Sequence, residues 1–201
     1  MLRNKVKYSK KIMAFLTIIV IFGIISGSFL SVILNSQDKQ LVTDNIKNFI
    51  ESISFNNIDI LKNTLLVNVL LIVGIWILGI SVIGLIIVIV LVFWKSFTLG
   101  FTISSFILTY NLKGLLLASI YIFPHLIINL LVIMYLGTYA LKFSILIIKC
   151  MFSKVNLNLK KLMLSYSKVL LFNLIIITIT SLLEAFITPY LLKLIVPILI
   201  K

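Results

Sequence analysis

Apolar residues in this chain fall into runs long enough to cross a bilayer, and polar residues lie mostly between them. Residues 12–34 are 23 positions without a charge. A hydrocarbon core about 30 Å thick needs about 20 such residues in a helix. The run is too long for a signal-peptide core, and no Ala-x-Ala-like site closes it, so it reads as an uncleaved first span. Residues 63–94 add 32 uncharged positions. One helix of that length would cover ~48 Å, so tilt, protrusion or a kink at Gly74, Gly79 or Gly84 is expected. Lys95 ends this second span in the pattern, and 96–112 forms a short third. Its hydroxyl residues suit a helix packed inside a bundle, with a re-entrant segment as the alternative. Lys113 and Gly114 make a turn, 114–141 is the fourth span, and 169–192 is the fifth, bent at Pro189.

The pattern therefore predicts an all-α, polytopic transmembrane bundle of about five spans, one integral membrane domain over 1–201. Its divisions are a basic tail (1–11), a first span (12–34), a polar segment (35–63), three spans (64–141), a basic segment (142–168), and a last span with its tail (169–201). In 35–63, Leu41, Val42, Ile46, Phe49, Ile50, Ile53 and Phe55 draw a helical stripe. An amphipathic helix at the membrane interface and a plain linker both fit it. In 142–168, Lys154, Lys161 and Lys168 share a helical side beside Leu157, Leu162 and Leu164, which predicts an amphipathic helix on the inner leaflet.

Charge orients this layout. The tail 1–11 carries five positive charges, 142–168 is lysine-rich without an acid, and four of the five acids lie in 35–63. The positive-inside rule then places the N-terminus and 142–168 in the cytoplasm and 35–63 outside. Splitting 63–94 into two spans would reverse the later half and is disfavoured on that ground. The net charge of +13 sits beside apolar runs, so anionic lipid headgroups, not nucleic acid, are the expected partner.

A few polar residues stand inside the spans. Glu184 is the only acid outside 35–63, and a carboxyl at that depth implies a partner, a wet cavity or a function. Asn173, Thr180, Glu184 and Thr188 lie on roughly one side of the last span. Pro124 and His125 fall near the middle of the fourth span, one turn before Asn129. Proline frees a carbonyl there, and the neighbouring His and Asn suit a structural polar knot. Candidate partners for Glu184 are His125, Lys95 or Lys113. Gly23, Gly27 and Ser31 recur every four residues, a small-residue face for close helix packing within the bundle or, alternatively, for a homo-oligomer or a partner's helix.

Enzyme motifs are absent from the sequence: there is no His-Glu-x-x-His, no Gly-x-Ser-x-Gly and no phosphate-binding Gly-rich loop. No catalytic residue, cofactor or metal is expected. One histidine beside an asparagine is too few ligands for zinc, and Cys150 is the lone cysteine.

Four stretches, in this order along the chain, carry a resemblance. They are Trp76-Ile77-Leu78-Gly79-Ile80-Ser81-Val82-Ile83-Gly84, Lys95-Ser96-Phe97-Thr98-Leu99-Gly100-Phe101-Thr102, Pro124-His125-Leu126-Ile127-Ile128-Asn129 and Glu184-Ala185-Phe186-Ile187-Thr188-Pro189. With the five-span layout, they resemble the stage II sporulation protein M family of small bacterial membrane proteins. The wider family often has Gly at the positions of Ser96 and Leu126, and Glu at that of Asn129. The resemblance implies a non-enzymatic scaffold of endospore formation. It would hold two peptidoglycan-remodelling enzymes, stage II sporulation proteins D and P, at the septal and engulfing membrane of the cell. A transporter or permease-like subunit is the second class, suggested by Glu184 and the broken fourth span.

Overall fold

The computed structural model describes residues 2–51, 57–122, 125–152 and 159–200. Those residues form α1 (Leu2–Ile33), α2 (Ser36–Glu51), α3 (Asn57–Gly79), α4 (Gly84–Ile122), α5 (Leu126–Phe152), α6 (Leu159–Leu182) and α7 (Thr188–Ile200). A π-helical turn (Leu183–Ile187) joins the last two. Five stretches are long and apolar enough to cross a membrane. The fold is an all-α bundle of these spans, and no strand occurs among the described residues.

The 32-residue apolar run does not form one span, because the chain turns between Gly79 and Gly84. The turn is closed by Ile80 N–H on the Ile77 carbonyl (3.0 Å) and Ser81 N–H on the Leu78 carbonyl (2.9 Å). A Cβ at Gly84 would run into the Leu78 carbonyl, so only glycine fits here. From α5, the buried Ser144 hydroxyl reaches the Gly79 carbonyl (2.8 Å) and that of Ser81 (3.1 Å), satisfying acceptors that a helix end leaves open.

Lys95 consequently lies inside a helix and ends none. The run from 84 to 110 is one arm of α4 and takes in the short third span expected at 96–112. Asn111 (φ 53°, ψ −133°) breaks α4, and the second arm, 112–122, folds back along the first. An added Cβ at Gly114 would collide with the Phe106 carbonyl, and the Phe106 and Tyr121 rings lie 5.8 Å apart. In a straight helix the fifteen residue steps from Phe106 to Tyr121 would span about 22 Å. The gained turn at 80–83 and the lost turn at Lys95 offset each other, so five crossings remain and the later spans keep their direction.

Contact pairs fix those directions. Gly23 meets Ser96, Gly27 meets Phe97, and Ser31 bonds to Ser104, so α1 and the first arm of α4 run parallel. Asn129 pairs with Thr180, and Phe143 stacks on Tyr166 at 4.8 Å, so α5 and α6 are antiparallel. Tyr166 donates to the Trp76 carbonyl (3.1 Å) while Thr64 reaches Glu184, so α3 and α6 are antiparallel. The main core gathers Leu16, Ile72, Ile75, Val88, Val92, Ile133, Leu136 and Ile177. Large apolar residues on the outer faces, such as Ile18, Phe22, Ile25, Trp94 and Ile175, are more than half exposed and would meet lipid.

Two connecting segments are settled locally. Residues 36–51 are helical, not a plain linker: the Asn35 side chain accepts from the Asp38 N–H (2.7 Å), capping α2. Ile46 and Ile50 of α2 pack with Phe106, Leu117, Ala118 and Ile122 of α4. Of the expected stripe, Phe49, Ile53 and Phe55 lie outside the residues whose side chains are described. The segment 142–168 differs from expectation. It is no separate surface helix, because α5 continues to Phe152, α6 begins at Leu159, and buried Phe143, Ser144 and Tyr166 tie these ends into the core. Residues 153–158, with Lys154 and Leu157, lie outside the described residues.

Candidate functional site

Two breaks in regular helix face each other inside the bundle. One separates the second arm of α4 from α5, and His125 stands beside it, fully buried. Pro124 lies outside the described residues. The other is the π-helical turn carrying Glu184. Its local cause is Pro189, whose missing N–H and bulky ring disturb the preceding helical turn. The widened turn absorbs this by letting the Thr188 N–H reach back to the Leu183 carbonyl.

Side chains converge between the two breaks. Thr64 of α3 donates to Glu184 Oε1 at 3.2 Å. The other carboxyl oxygen, Oε2, lies 3.7 Å from His125 Nε2, near enough for electrostatic attraction but too long for a hydrogen bond. His125 Nδ1 and the Thr188 hydroxyl are 3.2 Å apart, and either can donate according to the imidazole tautomer. One turn further, the Thr180 hydroxyl donates to Asn129 Oδ1, with the Ile177 carbonyl as a second acceptor at 3.0 Å. Tyr121 places its ring edge-on to His125, with centroids 5.7 Å apart. These contacts tie α3, α5, the π-helical turn and α7 together in an apolar setting, where an unpaired polar group is costly.

His125, Asn129, Thr180, Glu184 and Thr188 thus meet in one cluster. Asn173 does not join them: its amide donates to the Val169 carbonyl of its own helix (2.7 Å), and its buried Oδ1 has no partner. Gly23, Gly27 and Ser31 form a separate seam against α4, where an added Cβ at either glycine would strike α4 atoms. That face is occupied by the chain's own helix. Thr64 is the participant that sequence reading missed, since one threonine at the start of an apolar run carries no distinguishing signal.

Lys95 enters from the first arm of α4. It interacts electrostatically with Glu184 and lines a cavity of about 180 Å³ with Thr98, Thr102, Tyr121 and Asn129. Lys113, the other lysine considered for Glu184, is not among the cavity's lining residues. No group of three or more His, Cys, Asp or Glu that could hold a metal ion occurs among the described residues.

The chain matches no curated protein and no solved structure. One family profile, Stage II sporulation protein M, matches residues 12–189. That range contains both helix breaks, the polar cluster and the α1–α4 seam, and it covers most of the 201 residues. The chain therefore belongs to the Stage II sporulation protein M family and is a sporulation-related, multi-pass membrane protein.

Proposed function

We propose that this protein is a non-enzymatic membrane scaffold of endospore formation. It localises peptidoglycan-remodelling enzymes, stage II sporulation proteins D and P, at the sporulation septum and engulfing membrane. The observation that carries this reading is the internal cross-bracing. Polar groups within the bundle bond one another across α3, α5, α6, the π-helical turn and α7, which favours a rigid platform. Family membership supplies the cellular context.

The surface for the partners is α2. It lies at the bundle end opposite the lysine-rich ends of α5 and α6, which the positive-inside rule makes the wall-facing side. One face of α2 packs on α4, while Asp38, Leu41, Asp44 and Lys47 are exposed. The test replaces 35–63 with an unrelated linker and follows both enzymes by fluorescence in sporulating cells. Loss of septal enrichment, with normal amounts of the scaffold in the membrane, is expected. Unchanged enrichment would eliminate this surface.

A permease-like role is the second reading, favoured by one observation: the Lys95 cavity beside two facing helix breaks. Robust solute or proton flux in vesicles holding this protein alone would favour it. The scaffold reading expects none.

A further inference from the structure

The Lys95 cavity has an apolar neighbour. Between α2 and α4 lies a cleft of about 290 Å³, walled mainly by Val42, Ile46, Phe101 and Phe106. Thr102 and Tyr121 line both spaces, so the cleft and the Lys95 cavity lie side by side. The Lys95 cavity is walled by Leu99, Leu126, Leu130 and Ile133 as well as by its polar groups. The cleft is near the lower end of small-molecule sites, which hold roughly 300–1,000 Å³, and the Lys95 cavity is smaller.

The Lys95 cavity offers two donors, the Lys95 ammonium and the Asn129 amide. The Glu184 carboxylate turns to His125 at 3.7 Å and not to the ammonium. Glu184 acts on Lys95 electrostatically without touching it. Asn129 uses its Oδ1 to accept from Thr180, which leaves its NH₂ to donate. A half-buried ammonium within a membrane span, without a contacting counter-charge, is costly, and an anion that reaches it lowers that cost.

We propose that the two neighbouring cavities open into one another past Thr102 and Tyr121 and bind one organic carboxylate with a short apolar chain. The carboxylate pairs with Lys95 and accepts from Asn129, and the chain lies in the cleft beneath α2. The apolar cleft distinguishes this ligand from a bare inorganic anion, and the half-buried ammonium distinguishes it from a neutral alkyl compound. Glu184 competes for the same ammonium, so its neutralisation strengthens binding.

The test uses the full chain in a non-ionic detergent, with bound ligand counted by native mass spectrometry. Three probes separate the requirements: decanoate, decanol and acetate. Decanoate is expected to bind one per chain, at least ten-fold more tightly than decanol or acetate. Lys95→Met should make decanoate and decanol equivalent, and Glu184→Gln should tighten decanoate. Ile46→Trp fills the cleft from α2, and it should remove decanoate binding from protein that remains folded and monodisperse in detergent. Equal binding of decanoate and decanol to the unaltered protein would overturn the proposal. So would full decanoate binding by Ile46→Trp, a result that remains decisive if Lys95→Met does not fold.

Discussion

Gly27→Ala tests the seam that sets the bundle's geometry. A methyl group at this position would lie 2.9 Å from both the Phe97 carbonyl carbon and the Phe101 nitrogen, and closer still to the Phe97 oxygen. All are backbone atoms of α4 and have no rotamer through which to yield. Overpacking of this kind costs about 1–3 kcal/mol. Replacing a helical glycine by alanine returns about 1 kcal/mol of helix propensity. A backbone obstruction belongs at the upper end of the cost, so a net loss of about 2 kcal/mol is expected. For a chain of 201 residues, that lowers the thermal midpoint by about 4–8 °C. Gly74→Ala is the matched control, since nothing lies within 4 Å of the added methyl. Its midpoint should be unchanged or slightly higher. Both variants can be followed in detergent by the fluorescence of Trp76 and Trp94 at one fixed scan rate. Equal midpoints for Gly27→Ala and Gly74→Ala would refute the packing argument.

Other expectations follow from single contacts. Glu184→Gln retains an acceptor for Thr64 and should stay within about 1 kcal/mol of the unaltered protein, whereas Glu184→Leu orphans that donor and should cost about 1–3 kcal/mol. Full loss of Glu184→Gln from the membrane would contradict the hydrogen-bonding role. Ser144→Ala leaves the Gly79 and Ser81 carbonyls without their donor, and denaturant titration should show a loss of about 1 kcal/mol. Asn111→Gly relieves a positive φ at the hairpin tip and should raise the midpoint, while Asn111→Val should lower it.

The first span was legible because a bilayer imposes a minimum apolar length, and the run ending at Ile33 exceeds it. The turn at 80–83 was hidden because it is made of Ile, Ser and Val between two glycines, without the polar residues that usually mark a turn. Lys95 misled for the opposite reason. A charge inside an apolar run looks like a helix end, yet here the side chain lines a cavity between α4 and α5. The polar cluster was partly legible, since Glu184, His125 and Asn129 stand out against their apolar neighbours. Their geometry was not, because it depends on a π-helical turn and on a helix that doubles back at Asn111. The small-residue face of α1 could be read, but its partner could not: periodicity identifies a close-packing surface without saying which helix fills it.

The scaffold reading is tested most directly by purifying the tagged protein from sporulating cells in mild detergent and identifying by mass spectrometry what accompanies it. The account predicts two peptidoglycan-remodelling enzymes that are absent from untagged controls. Recovery of an ATPase or a solute-binding protein in their place would contradict it and assign the chain to transport.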